Sequence, residues 1–144
     1  MYRRIKDVRE DNDFTQSQLA SYLNISRGAY SMYECGLRRI PLFLLDKLSV
    51  KYQLSIDYLV GRTNKKSYNM VNPMDINELG KRLKKLRKNN KLTQYDVAKR
   101  MRLTRSAYSK YERMEMLIPV DKLIIVANLY NVSTDFILGK SQQP

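Results

Sequence analysis

The chain has 144 residues, enough for one average domain or two small ones, and 43% of them are hydrophobic, which suffices for globular cores. Lys and Arg number 27 against 14 Asp and Glu, a formal charge of +13, so the favoured partner is polyanionic: nucleic acid or an acidic membrane surface. Histidine is absent and Cys35 is the single cysteine, which excludes an internal disulfide, a Cys/His zinc site and imidazole acid–base catalysis.

In chain order, Met1-Tyr2-Arg3-Arg4-Ile5-Lys6 has no apolar run behind it and does not read as a signal peptide. No stretch approaches 18 consecutive apolar residues, so no membrane span and a cytoplasmic location are expected. A first helix runs from near residue 2 to Asn12 with Ile5 and Val8 inward. Thr15-x-x-Gln18 forms a capping box for a second helix that buries Leu19, Ala20 and Leu23. After a turn at Asn24-Ile25, Ser26 caps a third helix that ends near Glu34. Pro41 suits the first turn of a fourth helix carrying Leu45, Leu48 and Tyr52. Ser55 caps a fifth, closed by Gly61.

The polar stretch Arg62 to Met74 lacks hydrophobic periodicity, carries Pro73 near its end, and reads as a linker. Asp75 with Glu78 then opens a new helix, and the pattern repeats. Shifted by 78 positions, residues 5–61 lie over 83–139 without a gap, and 19 of the 57 pairs are identical. These include Arg9/Arg87, Thr15-Gln16/Thr93-Gln94, Ala29-Tyr30-Ser31/Ala107-Tyr108-Ser109 and Tyr33-Glu34/Tyr111-Glu112. The expected organisation is a domain at 1–62, a linker at 63–74 and a second domain at 75–144. Each domain has five short helices, so the fold class is all-α.

The segments Thr15 to Glu34 and Thr93 to Glu112 resemble the helix-turn-helix of the Cro/C1 (phage-repressor, XRE) family. Arg in the first helix, Thr-Gln opening the second, Leu-Ala or Val-Ala within it and Tyr-Glu closing the third carry the likeness. The resemblance implies two tandem five-helix, lambda-repressor-like domains that bind double-stranded DNA as a transcriptional regulator, a repressor, with the third helix of each in the major groove. It implies base-facing positions at Arg27, Gly28, Ser31 and Met32 and at Arg105, Ser106, Ser109 and Lys110, and Ser26 and Thr104 at the starts of these helices count among the DNA-binding residues. Arg27 and Arg105 suit the O6/N7 edge of guanine, with phosphate binding the alternative, and Met32 suits a thymine methyl. Gln16 and Gln94 match phosphate-binding positions at a helix N-terminus, or else take part in capping. Arg9–Glu34 and Arg87–Glu112 match an internal ion pair of the family and are read as structural. The tyrosines at 30, 33, 108 and 111 match apolar core positions.

The two copies diverge after the third helix. The first has Cys35-Gly36-Leu37-Arg38-Arg39, with Gly36 suited to a left-handed helix end and Arg38 and Arg39 aimed at phosphates. The second has Arg113-Met114-Glu115-Met116-Leu117, with an apolar pair in place of the two arginines. Lys81, Arg82, Lys84, Lys85, Arg87, Lys88 and Lys91 crowd the next domain's first helix, either as a solvated face or as a phosphate-tracking one. No catalytic residue, metal site or cofactor is expected. The competing reading is a protein-interaction module of antitoxin or anti-repressor type. Its second domain would hold a partner protein, or a second copy of the chain, through Met114, Met116 and Leu117.

Overall fold

In the computed structural model the described residues are 3–67 and 70–144, with Arg3 described by its backbone. The expected start of the first helix near residue 2, and Tyr68 and Asn69 of the polar stretch, lie outside them. All regular structure among the described residues is helical. The chain divides into two compact units, residues 1–71 and 72–144.

The first unit contains α1 (Arg3–Asp11), α2 (Gln16–Leu23), α3 (Arg27–Glu34), α4 (Leu42–Tyr52) and α5 (Ile56–Leu59). Local chemistry sets the boundaries. Thr15 and Gln18 make a reciprocal capping box at α2, Ser26 accepts the Ala29 amide at α3, and Ser55 accepts the Tyr58 amide at α5. Pro41 precedes α4 as its N-cap residue, one position before the first helical turn, without a side-chain cap. Ile5, Val8, Leu19, Leu23, Tyr30, Leu45, Leu48, Ile56 and Leu59 fill the core.

The second unit repeats the arrangement with α6 (Ile76–Asn89), α7 (Gln94–Arg100), α8 (Arg105–Glu112), α9 (Val120–Tyr130) and α10 (Thr134–Ile137). Asp75, Thr93, Thr104 and Ser133 cap α6, α7, α8 and α10. Leu79, Leu83, Val97, Ala98, Met101, Tyr108, Leu123, Val126 and Ile137 form its core.

Much of the polar stretch is engaged rather than free. Arg4 donates to the carbonyls of Tyr58 and Thr63 and to Asn64, with its guanidinium 4.5 Å over the Tyr58 ring. The Ser55 amide donates to the Lys66 carbonyl at 2.6 Å, and Gln53 and the Val71 backbone exchange two hydrogen bonds. In the second unit Lys140 Nζ donates to the Asn72 carbonyl at 2.7 Å and the Asp75 amide to that of Leu138. Arg82 repeats the Arg4 clasp on Phe136, Ser141 and Gln142. It is therefore committed inward, unlike the exposed lysines at 81, 84, 85, 88 and 91.

Each unit holds a glutamate inside that is paired with an arginine of its first helix. Arg9 Nε donates to Glu34 Oε1 at 2.6 Å and Arg9 Nη2 to Oε2 at 3.2 Å, with the Glu34 side chain 1% exposed. Arg87 and Glu112 repeat this at 2.6 and 3.1 Å. Burial alone would raise the Glu34 carboxyl, but hydrogen bonds from Arg9 and Gln16 outweigh it and hold the group below its ordinary range. Glu112 is held down in the same way by Arg87 and Gln94. The Tyr30 and Tyr108 hydroxyls lie buried beside these carboxylates without completing a hydrogen bond of good geometry, and burial raises both well above the usual tyrosine range. Burial likewise pushes the Tyr52 and Tyr130 hydroxyls up to about 12.

Five matched positions in each unit turn through positive φ: residues 13, 24, 36, 53 and 61, and 91, 102, 114, 131 and 139. The last is glycine in both. At the middle one the first unit has Gly36 (φ 72°) and the second Met114 (φ 56°), so the second unit keeps the left-handed turn without the residue that favours it. Met114 has a packing use there. A Cβ on Gly80 of α6 would come within 2.8 Å of Met114 Cγ and 2.7 Å of the Glu112 carbonyl, so α6 crosses the end of α8 with Met114 laid over the glycine. Leu117 is half-buried, leaving Met116 as the exposed member of the expected apolar pair.

Three stability predictions follow from these contacts. Glu34→Ala or Glu112→Ala strands a buried guanidinium and should cost roughly 3–5 kcal/mol in denaturant or thermal unfolding; a loss below about 1 kcal/mol would mean the pairs are solvated. Because both carboxyls titrate below their unfolded value of about 4.3, their contribution is fully present above that pH and is lost as pH falls through the lower folded value. The melting temperature should therefore hold near pH 5–7 and drop below about pH 4, less steeply in Glu34→Gln. Arg102, exposed at φ 54°, should give about 1 kcal/mol of added stability when replaced by Asn, which tolerates that conformation better; unchanged unfolding curves would show no strain there.

Candidate nucleic-acid interface

The third helix of each unit is aimed by a short turn with defined backbone chemistry. Asn24 adopts φ 57°, and the Ile25 amide reaches back to the Ala20 carbonyl at 2.9 Å. Arg102 and the Leu103 amide on Ala98 repeat it. Ala20 and Ala98 are buried and small, which lets α3 cross α2, and α8 cross α7, closely.

That crossing divides each third helix into two faces. Tyr30 and Tyr33, like Tyr108 and Tyr111, turn into the core. On the other side Ser26, Arg27, Gly28 and Met32 are exposed and Ser31 is half-exposed; Thr104, Arg105, Ser106 and Lys110 are exposed and Ser109 half-exposed. Ser26 and Thr104 spend their oxygens as acceptors for the amides of Ala29 and Ala107, leaving the hydroxyl hydrogens available to a ligand. A Cβ at Gly28 would meet nothing closer than Ser26 Oγ at 4.0 Å, so packing does not demand glycine there. It leaves the helix backbone without a side chain over it at that point.

Gln16 and Gln94 are placed differently from a simple capping role. Gln18 and Asp96 make the capping boxes. Gln16 Nε2 instead donates to Glu34 Oε2 at 2.9 Å, and Gln94 Nε2 to Glu112 Oε2 at 3.0 Å. The start of the second helix is thus tied to the end of the third through the carboxylate that also holds Arg9 or Arg87.

Beyond α3, Cys35 to Arg39 are all exposed, and the amides of Leu37 and Arg38 both reach the Met32 carbonyl. Arg38 and Arg39 sit on this projecting loop, with Leu37 81% exposed between them and the helix. The second unit keeps the same turn, with the Glu115 and Met116 amides on Lys110, but carries no arginine at the matching two positions. There a shallow groove brings together Gln94, Arg105, Ser106 and Ser109, and adds Arg113, which the sequence pattern alone did not single out. A groove in the first unit lies elsewhere, at the turn, between Ser17, Ser21, Asn24 and Arg27. Among the described residues, no group of three or more His, Cys, Asp or Glu side chains is placed to hold a metal ion. No helix there is long and apolar enough to cross a membrane.

The chain matches the Helix-turn-helix family at residues 5–59 and again at 83–137, and it belongs to that family, in its Cro/C1 type. It is 44% identical over 63 residues to the uncharacterised HTH-type transcriptional regulator YobD of Bacillus subtilis (strain 168), covering 44% of this chain and 56% of that protein. It is 42% identical over 64 residues to the HTH-type transcriptional regulator ImmR of the same organism, covering 44% and 50%. Antitoxin PezA of Streptococcus pneumoniae serotype 4 (strain ATCC BAA-334 / TIGR4) is 32% identical over 77 residues, covering 54% and 46%. The chain spans about half the length of the curated relatives it matches. No solved structure matches it. Two of these relatives are named as transcriptional regulators and one as an antitoxin.

Proposed function

We propose that the protein binds double-stranded DNA sequence-specifically and regulates transcription, as a repressor, with α3 and α8 entering the major groove. The observation that carries this reading is the division of both third helices into a tyrosine face buried in the core and a small, basic and polar face turned outward, in a chain of charge +13. The relatives named as transcriptional regulators support it. A DNA partner also implies a cytoplasmic location.

The residue roles follow from chemistry. Arg27 and Arg105 present bidentate forks to guanine, and Met32 offers an apolar tip to a thymine methyl. Ser31, Ser106, Ser109 and Lys110 complete the groove-facing sets, and Gly28 allows close approach. Gln16 and Gln94, with one amide hydrogen held by a glutamate, present the remaining donor and the helix N-terminus to a phosphate. Arg38 and Arg39 hold phosphates beside the first unit. The two units form two DNA-binding domains whose outward sets differ, so the preferred site is two unequal half-sites rather than a perfect palindrome.

Selection from random-sequence DNA with the intact chain tests this directly. Two half-sites of different sequence are expected. Arg27→Ala should lose roughly 1–3 kcal/mol of discrimination at one base position of one half-site. Arg39→Ala should weaken all sequences alike and lower the salt slope by about one unit. Identical behaviour of the two variants on matched and mismatched sites would overturn the division of roles.

A second reading has one specific observation behind it, the likeness to an antitoxin. In that reading the second unit engages a protein partner or a second copy of the chain, with Met116 as the exposed apolar contact. The structure reduces its basis, since Met114 is laid over Gly80 and Leu117 is half-buried. Recovery of a single half-site, unaffected by Arg105→Ala, would bring it forward.

A further inference from the structure

The first unit carries its loop charge on Arg38 and Arg39, where the second has Met116 and Leu117. The second unit also has an arginine the first lacks: Arg113, in place of Cys35, at the C-cap of α8. Arg105, Ser109 and Arg113 fall at successive four-residue steps, on one stripe of the helix, and they line the same groove as Gln94 and Ser106. Arg113 therefore extends the outward polar stripe by one turn.

In the free protein that guanidinium is occupied. Arg113 Nε lies 2.9 Å from Glu115 Oε1, and Arg113 Nη2 donates to Glu115 Oε2 at 3.1 Å. A two-point fork on a carboxylate has the geometry of a fork on a phosphate. Both side chains are more than half exposed, at 58% and 52%, so the pair is weak and a phosphate could displace the carboxylate without stranding a buried charge. The pair leaves segment 113–117 with no net charge, against two positive charges on 35–39.

We infer that Arg113 is a phosphate-binding residue of the second unit and that Glu115 is a built-in competitor, occupying the guanidinium fork until a DNA phosphate displaces it. This rests on the reading of the second unit as a DNA-binding domain. Glu115 thereby lowers affinity for every sequence. The cost is the same for every sequence, because a phosphate contact carries no base information.

The test uses the intact chain with Arg113→Ala, Glu115→Gln, the double variant and Arg105→Ala, titrated against a selected duplex and a random-sequence duplex over a salt series. Arg113→Ala should weaken both duplexes by a similar factor and lower the salt slope by about 0.9. Glu115→Gln should tighten both by roughly two- to five-fold, the size expected for release of an exposed ion pair. In the Arg113→Ala background that gain should fall by more than half. If Glu115→Gln gives the same gain with and without Arg113, Glu115 acts only as a remote charge and the competitor role is overturned. If Arg113→Ala leaves affinity and slope unchanged while Arg105→Ala weakens binding, Arg113 is not a contact and the proposal fails with the DNA reading intact. If neither arginine matters, the second unit does not bind DNA and both fall together.

Discussion

The Arg–Glu pair inside each unit is the contact on which the rest of the arrangement depends. It joins α1 to the end of α3, and α6 to the end of α8, across 25 residues of chain. The same arginine spans the turn before the second helix, since Arg9 Nη1 also donates to the Phe14 carbonyl and Arg87 Nη1 to that of Leu92. Gln16 and Gln94 take a remaining position on the carboxylate. One buried charge pair thus fixes three of the five helices in each unit. Such a pair is costly to desolvate and costly to break, so its contribution is to the uniqueness of the geometry more than to net stability. Here uniqueness has a use: the angle of the third helix and the start of the second are set by one group of atoms.

The two units show how a fold absorbs substitutions that local rules disfavour. Arg102 and Met114 occupy turns better suited to Asn24 and Gly36. The backbone path survives because the hydrogen bonds that close each turn use only main-chain atoms, as with the Leu103 amide on Ala98 and the Glu115 amide on Lys110. At Met114 a side chain that pays a conformational cost also covers the close approach of α6 at Gly80. Lys122 replaces Leu44 and finds a different role, donating to the Met101 carbonyl at the end of α7.

Most of the fold was legible in the sequence because its punctuation is local. Thr15 with Gln18, Ser26, Ser55, Asp75, Thr93, Thr104 and Ser133 sit within three residues of the amides they cap. The outward face of the third helices was legible through the resemblance to the Cro/C1 family, which implies core positions for Tyr30 and Tyr33 and outward ones for Arg27 and Ser31. What was not legible depends on atoms far apart in the chain. Gln16 and Glu34 are 18 residues apart, and nothing local to Gln16 reveals that its amide is already committed. Arg82 stands among lysines and reads like one of them, yet apart from Glu78 its hydrogen-bond partners lie 54 to 60 residues away. A signal was present all the same, for Arg4 falls over Arg82 at the 78-residue offset, one position ahead of the aligned window. Arg113 was not legible because the position aligned with it in the first unit is Cys35, so the two copies share no arginine there.

Duplication within one chain has a consequence for how such a surface changes. In an assembly of identical subunits every substitution is made twice, and a change that improves one half of the surface is imposed on the other. Here Gly28 and Met32 vary independently of Ser106 and Lys110, while Arg27 and Arg105 stay alike. The scaffold residues, from Arg9 and Glu34 to their copies at 87 and 112, are shared, and the outward residues are free to drift apart. The interior ion pair is thereby common to both copies while the outward residues differ, and each copy can be altered by a single codon change without disturbing its twin.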